Sequence, residues 1–335
     1  MRCMALRDSR GLLVAETRPD PEPGPGQVRL RVSACGVCRT DLHVVDGDLA
    51  GHRPAIVPGH EIVGVVEAIG PGVSGRRIGE RLGAAWLAWT CGECRYCREG
   101  RENLCDRAEF HGWTRDGGYA DVVVADDRYC FSLPATLPDA ECAPLLCAGL
   151  IGFRAWRMAC AGRTVETLGL YGFGAAAHLL AQLAVWHGQQ VYAFVRQGGD
   201  DAAALALELG CAWAGPSGQA PPAPLDAAIL FAPVGELVPE ALRAVRKGGA
   251  VICGGIHMSD IPAMPYEWLW GERVLASVAN LTRQDALDYF PLAERAGVRP
   301  RVTLYPQDRA NEALDDLRAG RFTGAAVLLP DTPRG

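Results

Sequence analysis

Residues 168–174 read Leu-Gly-Leu-Tyr-Gly-Phe-Gly and lead into Ala175–Trp186, an apolar, alanine-rich segment. The pattern predicts a buried strand, a glycine-rich turn and then a helix. In such a unit, backbone N–H groups and the helix N-terminus can approach a pyrophosphate. The stretch therefore indicates a dinucleotide-binding βαβ unit, although Tyr171 stands where a strict G-x-G-x-x-G pattern has its second glycine.

Strands and helices alternate after this turn. The sequence predicts buried strands at 191–195, 227–231 and 250–253 and helices at 202–209 and 239–245. This rhythm is typical of parallel βαβ units, so we expect a doubly wound Rossmann sheet in an α/β protein. One more helix is expected at 308–319, with Asp308 as N-cap and Gly320 as its stop, followed by a strand at 325–329.

The first 145 residues have a different composition, rich in Gly, Pro and Val. Residues 28–32 alternate apolar and polar side chains, which predicts a half-buried strand, and residues 62–70 read as a second strand. The composition and the pattern of predicted elements change near residue 149. At 335 residues the chain is longer than one domain usually is, so we expect a mostly-β domain followed by the nucleotide-binding domain.

Charge and composition exclude several classes of partner. The 33 basic and 39 acidic residues give a net charge of −6 without long runs, which argues against a nucleic-acid surface or an anionic membrane. No apolar window of about 18 residues predicts a membrane span, and the N-terminus has no signal-peptide pattern. We therefore expect a cytoplasmic protein, in which clustered cysteines indicate metal more often than disulfides.

Four of the 13 cysteines lie close together, at Cys91, Cys94, Cys97 and Cys105. Four thiolates at this spacing can surround one tetrahedral Zn²⁺ and leave no open coordination position. Free or disulfide-paired cysteines are the alternative, but a C-x2-C-x2-C run is too tight to pair well. The run predicts a structural zinc site.

A second metal site needs ligands from elsewhere in the chain. Cys38, His60 and Cys147 could form a three-ligand zinc site with its fourth position open to water or substrate. Taken singly, each has an ordinary interpretation, because a buried cysteine is usually a small hydrophobic residue and a lone histidine is usually hydrogen-bonded in a loop. The spacing alone does not show that the three residues meet.

These motifs together resemble one known family. Cys35-Gly-Val-Cys-Arg-Thr-Asp-Leu-His43, Gly59-His-Glu61, the four-cysteine run and Leu146-Cys-Ala-Gly149 occur in the order and approximate spacing of the zinc-dependent medium-chain alcohol dehydrogenases. The resemblance covers essentially the whole chain. It implies a GroES-like catalytic domain at 1–149 and 291–335, which carries both zinc sites, and a Rossmann domain at 150–290. It also implies a homodimer or homotetramer.

Residue by residue, the resemblance implies that Cys38, His60 and Cys147 bind a catalytic zinc and that the four-cysteine run binds a structural one. Cys35 is not an implied ligand. The resemblance further implies roles for four neighbours of the catalytic metal. Glu61 enters the metal's shell transiently, Asp41 orients His60, Thr40 hydrogen-bonds the substrate alcohol, and His43 ends a proton relay that passes through the cofactor ribose.

The cofactor residues are expected in both domains. The resemblance implies that Arg39 contacts the pyrophosphate, and the glycine-rich turn supplies Gly169, Gly172, Phe173 and Gly174. After the next strand, Arg196 stands where an acidic residue would bind the ribose hydroxyls of NAD. An arginine can instead pair with a 2′-phosphate, so NADP(H) is favoured over NAD(H). The alternative is that Arg196 stacks on adenine or points to solvent.

Three apolar side chains are candidates for the substrate pocket. By resemblance, Trp86 is an aromatic wall of the cleft, and Trp113 and Leu49 lie in segments that approach it. The alternative is that they are ordinary core or loop packing. A large indole would favour small or slender alcohols.

The sequence thus predicts hydride transfer between NADP(H) or NAD(H) and a small alcohol, aldehyde or ketone. A specialised polyol or amino-alcohol dehydrogenase is an alternative on the same scaffold. A zinc-free quinone or enoyl reductase is disfavoured by Cys38, His60 and Cys147. A non-catalytic NADPH-binding sensor or zinc-storing protein is disfavoured by Thr40 and His43, because a binding module needs no proton path.

Overall fold

The structure is a computed structural model, and it describes residues 1–8, 10–49 and 51–330. Within these residues the chain forms two units. The first comprises residues 1–147, 280–294 and 299 onward, and the second comprises residues 148–279 and 295–298. The units differ from the expected domain bounds chiefly in residues 280–290, which group with the first unit. The assignment of a catalytic and a nucleotide-binding role to the two domains stays a prediction.

The described residues contain seventeen strands. In chain order they are β1 (Arg2–Ala5), β2 (Val14–Thr17), β3 (Gln27–Val37), β4 (Glu61–Ile69), β5 (Arg81–Ala84), β6 (Leu87–Trp89), β7 (Glu109–Phe110), β8 (Val122–Asp126), β9 (Cys130–Phe131), β10 (Thr167–Tyr171), β11 (Gln190–Val195), β12 (Trp213–Pro216), β13 (Leu225–Leu230), β14 (Val245–Cys253), β15 (Val274–Ser277), β16 (Val302–Pro306) and β17 (Ala325–Leu329).

The same part of the chain contains nine α-helices. They are α1 (Arg39–Asp46), α2 (Arg95–Arg98), α3 (Asp139–Cys142), α4 (Ala148–Cys160), α5 (Ala175–Trp186), α6 (Asp200–Glu208), α7 (Leu237–Ala244), α8 (Arg283–Ala296) and α9 (Ala310–Ala319). None of them is long and apolar enough to cross a membrane.

The first unit is built around a seven-stranded sheet. Its path runs β16-β17-β3-β4-β5-β9, and β8 also pairs with β3. All the pairings are antiparallel except β16 with β17. The alternation expected at 28–32 is present, because Val28, Leu30 and Val32 are buried in the core while the residues between them are half-buried. The mostly-β character expected for this part of the chain is confirmed.

The second unit contains a six-stranded sheet with the order β12-β11-β10-β13-β14-β15. Every neighbouring pair is parallel. Numbered within the unit, the order is 3-2-1-4-5-6, which is the arrangement of Rossmann dinucleotide-binding domains. The predicted α/β doubly wound sheet is therefore confirmed, and the glycine-rich turn lies at the carboxyl end of β10, its central first strand.

The observed ends of two helices can be compared with the predicted ends. The helix expected at Ala175–Trp186 has those bounds. The last helix stops as expected at Gly320, whose φ of 65° is the left-handed cap conformation. Its predicted start was wrong. A 3₁₀ turn occupies Gln307–Arg309, and the α-helix begins only at Ala310, so Asp308 is not its N-cap.

Candidate functional site

The ends of the central strands bring four candidate ligands together in the first unit. Cys38 follows β3 directly, His60 immediately precedes β4, Glu61 is the first residue of β4, and Cys147 immediately precedes α4. One ligand atom from each of the four lies within 4.8 Å of all the others. The sulfurs of Cys38 and Cys147 are 3.7 Å apart, although 109 residues separate them in the chain. The expected cluster is thus assembled in space, and Cys35 is outside it.

A buried carboxylate holds this cluster in shape. Asp41 lies in the first turn of α1, is only 1% exposed and accepts four hydrogen bonds. The donors are the backbone N–H groups of Cys38 (2.8 Å) and Gly59 (3.2 Å), the Nδ1 of His60 (3.1 Å) and the hydroxyl of Tyr119 (3.1 Å). A carboxylate only accepts, so Nδ1 of His60 carries a proton, and in the neutral form of the ring, which is the form that binds a metal, Nε2 carries the lone pair.

The donor set fits a zinc ion. Among the described residues, Nε2 of His60 and Oε2 of Glu61 are buried without a hydrogen-bond partner. A buried polar atom without a partner is costly, and a cation beside these atoms would remove that cost. Two thiols, one imidazole and a nearby carboxyl are ligands that Zn²⁺ accepts in sites that keep an open position.

The charges within the cluster are strongly coupled. A hydrogen bond from the thiol of Cys147 lowers the pKa of Cys38 well below its usual range. Burial opposes charge on His60, but the adjacent Asp41 carboxylate raises the pKa of its imidazole well above the usual range. Burial also raises the pKa of Glu61 well above its usual range. The pocket thus favours a thiolate at Cys38, which is the form that binds metal.

The two expected relay residues lie on one face of α1, three positions apart. Thr40 is buried, and its Oγ1 lies 3.8 Å from the sulfur of Cys38. His43 lies in the last turn of the helix, and its Nδ1 is 2.9 Å from Oδ2 of Asp48. The helix therefore carries one hydroxyl at the candidate metal cluster and one imidazole further towards solvent.

The four-cysteine run forms its own cluster around the short helix α2. The ligand atoms of Cys91, Cys94, Cys97 and Cys105 all lie within 4.8 Å of one another. The sulfur of Cys91 is 3.8 Å from that of Cys97 and 3.6 Å from that of Cys105. The backbone N–H of Glu93 is the main cause that lowers the pKa of Cys91 to about 6. All 13 cysteines are described and unpaired, so the disulfide alternative is not realised.

The glycine-rich turn of the second unit is tightly packed at Gly172 and has open space at Gly174. Gly172 has a φ of 86°, and a side chain there would place Cβ 2.7 Å from the backbone nitrogen of Ala232. Gly174 is the N-cap of α5, and a Cβ there would meet nothing within 4 Å. Tyr171 is buried, with its ring stacked on Phe194 at 4.0 Å between centroids. The tyrosine therefore packs into the sheet's core.

The remaining cofactor candidates lie at strand and helix ends. Gly169 is in β10, where an added Cβ would approach Leu225 to 2.5 Å, so this glycine serves strand packing. Phe173 is buried in the turn itself. Arg196 follows β11 directly and is exposed, and Arg39, the first residue of α1, is also exposed. Both guanidinium groups are thus accessible in their own units.

An aromatic cluster adjoins His60. The ring of Trp86 meets that imidazole edge-on at 4.9 Å and stacks on Phe110 at 5.1 Å and on Trp113 at 6.0 Å, centroid to centroid. Trp86 is 7% exposed, while Trp113 and Leu49 are partly buried against the core of the first unit. The cluster places stacked aromatic rings beside the candidate metal ligand His60, and Leu49 is not part of that stack.

Sequence reasoning missed three contributors. Tyr119 donates to Asp41 from 78 residues away, Phe110 completes the aromatic stack, and Gly36 leaves space for Glu61, because a Cβ there would lie 1.8 Å from its Oε2. The motif Gly117-Gly118-Tyr119 was the one available signal, since closely approaching backbones need glycines. Nothing in the local sequence pointed to Phe110.

Comparison with known proteins agrees with this geometry. The model of the alcohol dehydrogenase GroES-like domain matches residues 24–135. The Mycobacterium tuberculosis (strain CDC 1551 / Oshkosh) protein described as "Probable alcohol dehydrogenase AdhA" is 46% identical over 328 residues, covering 95% of this chain and 93% of that protein. An alcohol dehydrogenase of Geobacillus stearothermophilus is 32% identical over 325 residues, covering 93% of this chain and 94% of its own length.

A solved structure of a cinnamyl alcohol dehydrogenase from Sorghum bicolor has a TM-score of 0.89 at 26% identity, covering 98% of this chain and 96% of that one. The matching fold agrees with the sequence relationship. At 46% identity over nearly the full length of both proteins, this chain belongs to the zinc-dependent medium-chain alcohol dehydrogenase family.

Proposed function

We propose that this alcohol dehydrogenase binds a catalytic zinc through Cys38, His60 and Cys147 and transfers hydride between a small alcohol and NADP(H). The observation that carries the proposal is the buried cluster, in which Nε2 of His60 lacks a partner among the described residues and lies with two sulfurs and Glu61 inside 4.8 Å. We propose a second, structural zinc at Cys91, Cys94, Cys97 and Cys105.

Zinc held at the first cluster would supply a Lewis acid that polarises the substrate oxygen, and a bound nicotinamide would exchange hydride with the substrate carbon. The protein supplies orientation. Asp41 fixes the tautomer of His60, and Glu61 offers a carboxyl to the same cluster. Thr40 places a hydroxyl beside Cys38, where it can bind the substrate oxygen and pass on its proton.

His43 would take that proton towards solvent, a role that suits an imidazole because it titrates near neutral pH. The side chain of His43 is 12% exposed, so it lies between the interior and water. Together with Thr40, it gives α1 a proton path that a zinc-storage protein or a cofactor sensor does not need.

Cysteine substitutions test the catalytic cluster with a matched control. Cys38→Ser should abolish alcohol oxidation and remove one zinc per chain. The serine hydroxyl rarely ionises to an alkoxide, so it is a weak zinc ligand. Cys35→Ser, three residues away and outside the cluster, should keep both zincs and most of the activity. Equal turnover in Cys38→Ser and Cys35→Ser would defeat the proposal.

We infer that Arg196 selects NADP(H). It is exposed at the end of β11, where its guanidinium can pair with a 2′-phosphate. The turn at Gly172 and Gly174 and the N-terminus of α5 would hold the pyrophosphate, and Arg39 stays a predicted cofactor residue of the first unit. Arg196→Asp should shift the ratio of kcat/KM values from NADPH towards NADH. Gln197→Asp is the control, and an equal shift there would mean that added negative charge, not loss of Arg196, changed the preference.

We further infer a substrate with a flat, apolar group. The stacked rings of Trp86, Phe110 and Trp113 beside His60 support this, and a related solved structure is a cinnamyl alcohol dehydrogenase. An aromatic contact is worth about 0.5–1.5 kcal/mol beyond burial, so kcat/KM for benzyl alcohol should exceed that for cyclohexylmethanol by about two- to tenfold. A reversed ratio would remove this inference. Leu49 stays a predicted pocket residue.

Location and assembly stay predictions. We propose a cytoplasmic homodimer or homotetramer that needs no nucleic acid or membrane, consistent with the net charge of −6. Light scattering coupled to gel filtration distinguishes the two assemblies, and a monomeric mass would contradict both.

A further inference from the structure

We propose that Asp48 is a positioning residue for His43, so that the two side chains act as one unit in passing the reaction's proton to solvent. The inference rests on the function proposed above, in which His43 takes that proton. Beyond that function, it assigns a role to Asp48 and a tautomer to His43.

The end of α1 brings the carboxylate to the imidazole. The helix stops at Asp46, and Gly47 adopts a φ of 81°, a left-handed conformation that reverses the chain. The backbone N–H of Leu49 then donates to the carbonyl of His43 at 3.1 Å. Between these two anchors, Oδ2 of Asp48 comes to lie 2.9 Å from Nδ1 of His43.

This contact determines the tautomer. A carboxylate has no proton to donate, so Nδ1 of His43 must carry the hydrogen, and in the neutral ring Nε2 then carries the lone pair. Nε2 can accept the proton released on alcohol oxidation, which makes an imidazolium with a hydrogen on each nitrogen. The charge of Asp48 stabilises this cation without taking its proton. Loss of the Nε2 proton to water restores the starting state.

The environment of the pair supports this role. His43 lies in the last turn of α1, where the helix carbonyls favour a cation. The side chain of His43 is 12% exposed and that of Asp48 is 46% exposed, so the pair extends from the protein interior to the solvent-exposed surface. The nearby Asp46 has a different partner, because its carboxylate bonds to Arg318 at 2.7 Å. Asp46 is therefore a matched control with the same charge on the same helix end.

Substitutions in the holoenzyme test the pair through turnover. Asp48→Asn should lower kcat for alcohol oxidation by about three- to tenfold, the range expected when a half-exposed charged hydrogen bond is lost. Added imidazole buffer should restore much of the loss, and Asp48→Glu should retain more activity than Asp48→Asn. Asp46→Asn should match the wild type. Equal losses in Asp46→Asn and Asp48→Asn would overturn the proposal, because general charge removal would then explain both.

A double-mutant cycle separates positioning from a structural role. If Asp48 acts through His43, Asp48→Asn should have no further effect on kcat in a His43→Gln background. Losses that multiply in the double variant would mean that Asp48 only shapes the loop, which overturns this inference. If His43→Gln itself is fully active, the proton path of the proposed function fails, a result that the Asp48 variants alone would not give.

A spectroscopic measurement does not depend on activity. Long-range ¹H–¹⁵N spectra of the protein distinguish the two histidine tautomers, and the His43 signal is assigned by its loss in His43→Gln among the seven histidines of the chain. The wild type should show the Nδ1–H form at His43, and Asp48→Asn should shift it towards the Nε2–H form. An Nε2–H tautomer in the wild type would overturn the proposal.

Discussion

The replacement of Asp41 by asparagine should cost the protein its proposed catalytic zinc while leaving the structural zinc in place. The wild-type carboxylate accepts from four donors, two on each oxygen, and is 1% exposed. The asparagine amide has the same shape but keeps only one accepting oxygen. Its NH₂ group takes the place of the second oxygen and faces the two donors that bonded to that oxygen. The consequences differ for the two possible orientations of the amide.

In one orientation the NH₂ group faces Gly59 and His60. The backbone N–H of Gly59 cannot accept, and the imidazole accepts at Nδ1 only by moving its proton to Nε2, the atom expected to bind zinc. In the other orientation the NH₂ group faces Tyr119, which can accept, and Cys38, whose N–H loses its acceptor. The second orientation is cheaper, but it still leaves one buried donor without a partner, which costs about 1–3 kcal/mol.

The neutral amide also removes the charge that supports His60 as a ligand. Loss of such an outer partner typically weakens metal binding by about 10–100-fold, or about 1.4–2.7 kcal/mol. We therefore expect Asp41→Asn, dialysed against a zinc chelator, to retain about one zinc per chain, while the wild type retains about two. Metal content by mass spectrometry and a chelator competition give the number and the affinity.

Tyr119→Phe is the matched control, because it removes one of the four donors without changing the tautomer of His60. It should cost about 1 kcal/mol of stability and keep both zincs. If Asp41→Asn held its second zinc as tightly as Tyr119→Phe does, the carboxylate would not be the group that orients His60.

Single residues at the two candidate metal clusters and at the glycine-rich turn give three simpler expectations. Gly36→Ala should weaken the binding of the proposed catalytic zinc in a chelator competition, because its Cβ would lie 1.8 Å from Oε2 of Glu61 and displace that side chain within the cluster. Unchanged zinc affinity would mean that this carboxyl can move without disturbing the ligands. Gly172→Ala should weaken NADPH binding in a fluorescence titration and destabilise the fold by about 1–3 kcal/mol. The reasons are that the backbone has a φ of 86° and that the added Cβ would clash with Ala232. Unchanged affinity for NADPH would contradict the proposed cofactor turn. Cys97→Ser should leave one zinc per chain and lower the midpoint of thermal unfolding; two retained zincs would exclude a four-thiolate site.

Local patterns predicted four of the six strands of the second sheet, β10, β11, β13 and β14, and the helices α5, α6 and α7, because each of these signals lies within a few residues. Strands β12 and β15 and helix α4 of this unit were not predicted. Buried parallel strands read as short apolar runs, and Ala175–Trp186 was bounded by glycine and histidine at its two ends. Helix α8 was not predicted, because Pro291 stands inside it and proline normally argues for a helix end. The 3₁₀ turn before α9 was also missed, since it begins after Pro306 in a sequence that equally suits an α-helical start.

The two candidate metal clusters differed in predictability for a physical reason. The four-cysteine cluster has a spacing that one short loop can close, so the sequence carried most of its information. The other cluster depends on contacts across 109 residues, between Cys38 and Cys147, and no local pattern encodes such a distance. The family resemblance supplied that information. Tyr119 and Phe110 had no such signal, and only the fold places them beside Asp41 and Trp86.

The pairing of β3 with β4 brings Cys38 and His60 of the proposed catalytic cluster together. Gly36 on β3 is opposite Glu61 on β4, so the residues just beyond these strand ends include Cys38 and His60. The ladder contains two irregularities, one between Arg29 and Leu30 and one between Val32 and Ala34.

The two irregularities compensate each other. The first leaves Glu67 as an extra residue on β4, and the second leaves Ser33 as an extra residue on β3, so the original register returns before the cluster. Ser33 stabilises its bulge by donating from its hydroxyl to the carbonyl of Val63 at 3.1 Å. Without the second bulge, β3 would arrive one residue out of register and turn its side chains to the opposite face. Glu61 would then no longer lie opposite a glycine, and its carboxyl would have no room beside His60. The geometry of the proposed zinc site thus depends on a bulge at Ser33, a residue that is not itself one of the candidate ligands.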